Sequence, residues 1–246
     1  MTDDKKIIIA LDGQELLTPQ KNPLWVPTRA LADAIADEFR KAKPSSVIRH
    51  PSSAQAPLTA LAYTAIDRIE GQEEAIIDAL MVYGDTDTLS YALKPSPSGR
   101  GLGEGPHPDL LPEGEGILAA RQQRLWKPII DWASREFGAI WQTASGIEPA
   151  TQVPEMHEAI RAYLKTQGAM RLSAACVLVS CYSSLLLALA VLKARVSEAE
   201  AFELSRVEEA VQNERWGVDV EAEKKNARVK AETHAAGHFL RLLEAS

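Results

Sequence analysis

His234 and His238 are the pair of residues in this sequence whose spacing comes closest to a recognisable chemistry. Residues at i and i+4 share one face of a helix, and two imidazoles on one face can chelate zinc. The residues between them are Ala-Ala-Gly, so the glutamate that a zinc protease carries beside its first histidine is missing. No third ligand is evident. Two partly buried histidines of a helix are therefore the favoured interpretation, and a metal-dependent enzyme of unknown reaction is the alternative.

Two further motifs carry weaker signals. Asp85-Thr86-Asp87-Thr88 could hold a hard cation through two carboxylates, but it has neither the glycine nor the distal glutamate of a calcium loop. Asp and Thr also cap helices and turns, which is the role that the pattern favours. The stretch Gly99–Gly103 has no strand before it and no Gly-Lys-Ser/Thr after it, so a phosphate-binding loop is not predicted.

Cys176, Cys181 and Ser184 lie in an apolar run without a neighbouring base, which is typical of small core residues rather than nucleophiles. The two cysteines are five positions apart and face different sides of a helix, so no disulfide is expected between them. Free cysteines fit a reducing compartment. No acid–base pair or catalytic triad stands out, and this absence favours a binding protein without a cofactor over an enzyme.

The composition describes an acidic globular protein. The chain has 246 residues, 46% of them hydrophobic and 25% charged, which is enough apolar material for a sizeable core. Its formal charge of −7 argues against binding to nucleic acid or to an anionic membrane surface. The N-terminus, Met-Thr-Asp-Asp-Lys-Lys, lacks the character of a transit or signal peptide, so a bacterial cytoplasmic location is expected.

The elements that must position these residues change in type along the chain. Residues 7–11 and 14–18 predict a β-hairpin around Asp12-Gly13, and residues 24–26 predict a further strand. Helical periodicity follows, and the predicted fold is α+β and predominantly helical, with a small N-terminal β-containing domain before a larger all-α bundle. The expected division is residues 1–93, a Pro/Gly-rich loop or linker at 94–116, and residues 117–246. The predicted helices cover residues 27–43, 59–69, 73–83, 117–137, 156–165, 198–216 and 220–243.

Leu172–Leu192 is a run of 21 residues without a charge, long enough to cross a bilayer. Four serines lower its hydrophobicity, and no aromatic belt flanks its ends. A buried central helix of the bundle is the favoured interpretation. A single-span membrane protein is kept as the alternative.

The segment Ser205–Gly217 is acidic and amphipathic, and it ends in Trp216 before a glycine. It could be a solvated charged face whose tryptophan packs on a neighbour. It could also be a partner-binding helix with Trp216 as an anchor, because Trp is enriched in interface hot spots.

Six segments, in order along nearly the whole chain, match the motifs of one family. They are Asp12-Gly13…Thr18-Pro19…Lys21-Asn22-Pro23-Leu24, Val26-Pro27-Thr28-Arg29-Ala30-Leu31-Ala32, Thr64-Ala65-Ile66-Asp67-Arg68, Asp85-Thr86-Asp87-Thr88-Leu89-Ser90-Tyr91, Trp126-Lys127-Pro128-Ile129-Ile130-Asp131-Trp132-Ala133 and Glu208-Glu209…Gln212…Trp216-Gly217. Together they resemble the assembly chaperones of the ATP synthase F(1) sector, the catalytic head, that bind the alpha subunit. The chain looks like a bacterial, alphaproteobacterial-type member.

The resemblance implies a function without catalysis, metal or cofactor. Such a chaperone would bind the unassembled alpha subunit and prevent its aggregation until a beta subunit replaces it. The implied partner-binding residues are Glu208, Glu209, Gln212, Trp216 and Gly217. The free protein would be monomeric, without membrane insertion or nucleic acid, and eukaryotic relatives would be in the mitochondrial matrix.

The sequence departs from the family pattern at three places. Phe39 stands where the family often has Trp. The sequence Trp126-Lys127-Pro128 stands where Trp-Asp-Pro is more usual, so Lys127 replaces an aspartate. The Pro/Gly-rich insertion at 94–116 is longer than typical. Phe39 keeps an apolar aromatic side chain, so we expect the substitution to cost little.

Overall fold

The computed structural model describes residues 6–11, 13–42, 52–91, 113–144 and 150–245, with only the backbone described for 113–116. As predicted, the fold is α+β and predominantly helical, with its short strands near the N-terminus. The strands are β1 (Ile7–Ile8), β2 (Ala10–Leu11), β3 (Gln14–Glu15) and β4 (Trp25–Val26). The α-helices are α1 (Arg29–Ala42), α2 (Pro57–Thr64), α3 (Glu73–Asp85), α4 (Glu113–Phe137), α5 (Pro154–Lys165), α6 (Ala169–Tyr182), α7 (Leu185–Leu192), α8 (Glu198–Ser205), α9 (Val207–Trp216) and α10 (Val220–Glu244).

The predicted hairpin is confirmed. β2 and β3 pair antiparallel, with Ala10 opposite Glu15, and the turn between them contains Gly13 at a φ of 80°. Asp12, the other predicted turn residue, lies outside the described residues. β1 pairs antiparallel with β4, so the chain returns on itself before α1 begins. The strands gain stability by packing their buried side chains on the apolar face of α1, since a two-stranded ribbon is marginal alone.

Two segments that carry the family resemblance meet at Asp67. α2 continues into a π-helical turn, Ala65–Ile69, which carries this carboxylate. Thr18 Oγ1 donates to Asp67 Oδ1 at 2.6 Å, and Asn22 Nδ2 donates to the same oxygen at 2.9 Å. The loop before β4 is therefore fixed to the end of the α2 segment by side chains distant in sequence.

The apolar run is buried as predicted, but it is not one helix. Ser183 adopts a φ of 51°, which ends α6, and α7 starts two residues later with every side chain buried. Ser184 Oγ accepts a hydrogen bond from the Leu187 N–H at 3.0 Å and thereby caps α7. The break was missed because serine is compatible with a helix interior and the contact that favours the break comes from another part of the chain. No helix among the described residues is long and apolar enough to cross a membrane.

Two other helix boundaries differ from the prediction. The helix expected over 198–216 divides at Arg206 into α8 and α9, although the capping box at its start, Ser197 with Glu200, is confirmed. α4 begins at Glu113, so the end of the Pro/Gly-rich segment is helical, while 94–112 lies outside the described residues.

α10 packs against α1, α2, α6 and α8, and so links the two ends of the chain. Thr28 Oγ1, at the start of α1, donates to the carbonyl of Leu242 at 2.7 Å across 214 positions. Phe39 of α1 is buried, in agreement with the expected apolar role. The division into domains around 94–116 stays a prediction.

Candidate partner-binding surface

Polar side chains on α4 and α10 hold α9 in place. Val207, at its first turn, is the one buried residue among the ten of this helix. Gln122 Nε2 of α4 donates to Glu208 Oε1 at 2.9 Å, and Asn226 Nδ2 of α10 donates to Glu209 Oε1. Two of the predicted partner-binding residues therefore already have contacts within the fold.

Arg121 of α4 makes the third attachment. Its Nη1 and Nη2 atoms donate to the two carboxylate oxygens of Glu214 at 2.7 and 2.9 Å, which is the bidentate geometry that guanidinium favours. The hydrogen bond from Arg121 lowers the pKa of Glu214, whose carboxylate is exposed. This contact fixes the C-terminal half of α9 to α4.

Later residues of α4 contact earlier residues of the chain around α9, and the reverse. Trp126 Nε1 donates to the carbonyl of Leu204 at 2.8 Å, just before α9, and the indole is fully buried. Gln122, one turn earlier on α4, meets Glu208 at the start of α9. α9 therefore runs antiparallel to α4, and the C-terminal end of α9 lies at the same end of the bundle as the first turns of α4.

The rest of the predicted site is open to solvent. Trp216 is 72% exposed, and the Arg215 guanidinium lies 5.0 Å from the ring centroid. Gly217 ends α9 with a φ of 86° and a ψ of 169°, a conformation essentially confined to glycine. Gln212 is exposed as well. The interpretation in which Trp216 packs into a neighbouring element is thus wrong.

Sequence reasoning missed three exposed apolar residues at this end of the bundle. Val218 and Val220 follow Gly217, and Ile117 lies one turn before Arg121 on α4. We call Ile117, Trp216, Val218 and Val220 together the apolar tip. The alternation of apolar residues with Gly217 and Asp219 could have indicated it, but the helical pattern places Val220 only as the start of the last helix and does not include Val218.

The negative charge of the protein is concentrated in the segment that runs from α8 through α9 to the first turn of α10. Residues 198–223 contain nine acidic and two basic side chains, a balance of −7 that equals the charge of the whole chain. The rest of the sequence has 25 of each sign. The acidic segment therefore includes α9, the helix that carries the predicted partner-binding residues.

Asp85 and Asp87 act within the fold, as the sequence suggested. Asp87 is fully buried, and its carboxylate accepts hydrogen bonds from Ser184 Oγ and the Leu186 N–H, both at 2.8 Å. Burial raises the pKa of Asp87 to about 6. Asp85 Oδ1 lies 3.0 Å from His157 Nε2 and accepts a hydrogen bond from the Gln152 N–H.

The two histidines at helical spacing are both exposed, so the interpretation that they are partly buried is wrong. His234 has a carboxylate partner within the fold. His234 Nδ1 lies 3.2 Å from Glu198 Oε1, whose other oxygen accepts a hydrogen bond from Arg241 Nη1 at 2.7 Å. The His234 and His238 rings are 6.4 Å apart. Within the described ranges no group of three or more His, Cys, Asp or Glu side chains is arranged to hold a metal ion.

The remaining candidate chemical groups are inert or outside the described residues. Burial raises the pKa of the Cys176 thiol and brings that of Cys181 to about 11, so both thiols are protonated near neutral pH. Ser184 is the cap of α7. Gly99–Gly103 lies outside the described residues.

Comparison with known proteins gives one consistent result. A family model described as "ATP12 chaperone protein" matches residues 1–134. The crystal structure of Atp12 from Paracoccus denitrificans has 34% sequence identity and a TM-score of 0.79, covering 96% of this chain and 91% of that one. A structure of a mutant of the same protein gives the same values. Protein atp12, mitochondrial, of Schizosaccharomyces pombe is 28% identical over 220 residues, which are 86% of this chain and 69% of that protein.

The matching family is described as one of chaperones, which are not enzymes. The family model covers more than half of the sequence, and the bacterial relative matches it in both sequence and fold. The chain therefore belongs to the ATP12 chaperone family.

Proposed function

We propose that this protein is an assembly chaperone of the ATP synthase catalytic head in the bacterial cytoplasm. It binds the unassembled alpha subunit and keeps it from aggregating until a beta subunit takes its place. Membership of the ATP12 family is the observation that carries the proposal. An unassembled subunit exposes apolar assembly surface, and such surface aggregates unless something covers it.

The composition of the candidate surface suits a temporary complex. α9 combines acidic side chains, Glu208 and Glu209, with the exposed indole of Trp216. A partly polar interface of moderate size gives enough affinity to hold a client and still allows its displacement. We assign Glu208, Glu209, Gln212, Trp216 and Gly217 to the partner-binding site.

Co-expression with the ATP synthase alpha subunit tests the function directly. We expect the alpha subunit to be soluble and to co-purify with this protein, and to aggregate without it. Addition of the beta subunit should then release the chaperone from the complex. If the solubility of the alpha subunit does not depend on this protein, the proposal fails.

Charge reversal tests the site. Glu208→Lys and Glu209→Lys should each reduce the amount of alpha subunit captured. The melting temperature should change little, because α9 contributes a single buried residue, Val207, and can shift without opening the core. Glu158→Lys is a matched control, since Glu158 is an exposed carboxylate on α5. Capture equal to that of the control in both variants would remove the site assignment and leave the family unaffected.

A further inference from the structure

We propose that the client binds directly to the apolar tip, and that Glu208 and Glu209 act as positioning residues that hold α9. The inference rests on the proposed function and specifies which surface of the site touches the partner. The client surface that fits is an apolar recess with lysine and arginine side chains at its edge.

The carboxylates of Glu208 and Glu209 already serve contacts within the fold. Glu208 accepts a hydrogen bond from Gln122, which is fully buried, and Glu209 accepts one from Asn226. A partner that bound these oxygens instead would break bonds to side chains of α4 and α10, at a cost in free energy for each. Since α9 buries little apolar surface, these bonds largely determine where the helix lies.

The residues of the apolar tip are all largely exposed to solvent. Ile117 is 54% exposed, Val218 57% and Val220 65%, and Trp216 is more exposed than any of them. They come from α4, α9 and the start of α10, and the antiparallel packing of α9 on α4 brings them to one end of the bundle. Exposed apolar side chains that lie close together are typical of interaction sites, and Trp is among the residues enriched in interface hot spots.

The charges that follow the tip residues most closely in sequence are acidic. Asp219, Glu221 and Glu223 alternate with or follow the valines, and Lys224 and Lys225 lie about one turn further along α10. Of the arginines nearby, Arg121 is neutralised by Glu214, and Arg215 lies over the Trp216 ring itself. A recess edged by basic side chains would thus meet apolar area at its centre and acidic groups at its rim. Complementary charge of this kind speeds association and fixes orientation.

Serine substitutions test whether the tip is the contact. The variant Val218→Ser/Val220→Ser and the single variant Ile117→Ser should each lower the amount of co-purified alpha subunit, the double variant by at least about tenfold. The matched control is Val82→Ser/Ile140→Ser, at two apolar residues that are 63% and 73% exposed elsewhere on the molecule. The control should stay within about twofold of the wild type, and all variants should keep its melting temperature.

Amide substitutions test whether Glu208 and Glu209 hold α9 in position or contact the client directly. Glu208→Gln and Glu209→Gln keep an oxygen that can accept the bonds from Gln122 and Asn226, whereas the lysine variants do not. If the carboxylates position α9, the glutamine variants should capture the alpha subunit almost normally and the lysine variants poorly. If glutamine is as harmful as lysine, the negative charge itself binds the client and the positioning role is wrong.

The outcomes separate this inference from the proposed function. A wild-type chain that captures no alpha subunit overturns both. A wild-type chain that does capture it, together with tip variants that behave like the Val82/Ile140 control, overturns the tip alone and leaves the function standing.

Discussion

The carboxylate of Asp87 accepts a hydrogen bond from the hydroxyl of Ser184 at 2.8 Å, although 97 positions separate the two residues. The same carboxylate accepts a bond from the backbone N–H of Leu186, and Ser184 in turn accepts one from Leu187. Between them the two side chains satisfy the first N–H groups of α7, which is buried on every side. A helix start inside the core needs such acceptors, because water cannot reach it.

The ionisation of Asp87 should make stability depend on pH. Its pKa is near 6 in the fold, above the ordinary value of 3.8, because of burial. The contribution of such a group to the unfolding free energy is fully present at a pH below its pKa in the unfolded chain. That contribution is lost as the pH rises through the pKa in the fold, near 6. The difference in unfolding free energy, Asp87→Asn minus wild type, should therefore increase by up to about 3 kcal/mol between about pH 4 and pH 7. Urea unfolding at both pH values measures it, and an unchanged difference would contradict the shifted pKa.

Substitution of Ser184, the cap of α7, should destabilise the protein more than substitution of Ser183, the residue before it. Ser184→Ala removes the bond to the Leu187 N–H and a donor to Asp87, and we expect a loss of about 2 kcal/mol of unfolding free energy. Ser183→Gly is the matched control, because Ser183 is exposed and its φ of 51° suits glycine. Chemical denaturation of both variants tests the difference, and equal losses would show that the hydroxyl of Ser184 is not the cap.

Gly237 should not tolerate a side chain. A Cβ atom at this position would lie 2.5 Å from the Cδ atom of Glu198, so Gly237→Ala should displace the carboxylate from Arg241 and cost about 2 kcal/mol. Gly84→Ala is the control, since its nearest atom would be Leu185 Cδ2 at 3.5 Å, an ordinary contact. In a double-mutant cycle, Glu198→Ala should remove most of the penalty at Gly237. If the losses of the two substitutions are additive, contact with the Glu198 side chain is not the cause of the loss at Gly237.

Trp126 and Trp216 lie in two of the segments that carry the family resemblance, and their structural roles should differ. Trp126→Ala removes a fully buried indole and its bond to Leu204, and should cost about 4 kcal/mol. Trp216→Ala should change the unfolding free energy by less than about 1 kcal/mol, because that ring is mostly in water. Thermal and urea unfolding measure both values. A large loss for Trp216→Ala would show that its ring supports the fold and would weaken its assignment to partner binding.

Features determined by neighbouring residues were predictable from sequence. The turn at Gly13 and the capping box at Ser197 depend on positions within a few residues, and both are present. The break at Ser184 depends on Asp87, which local periodicity cannot detect. The limits of α9 were missed for the same reason, since its position depends on Gln122 and Asn226. The family resemblance indicated α9, but only solvent exposure distinguishes Val218 and Val220 from ordinary helix residues.

The place of α10 in the packing has a consequence for the synthesis of the protein. α1, α2, α6 and α8 all contact α10, and all of them leave the ribosome before it. Their shared interface therefore stays open during translation, and the bond from Thr28 to Leu242 forms only after the chain between them has been made. A chaperone built in this way must itself pass through a nascent state with exposed apolar helices, the same hazard from which it is proposed to protect its client.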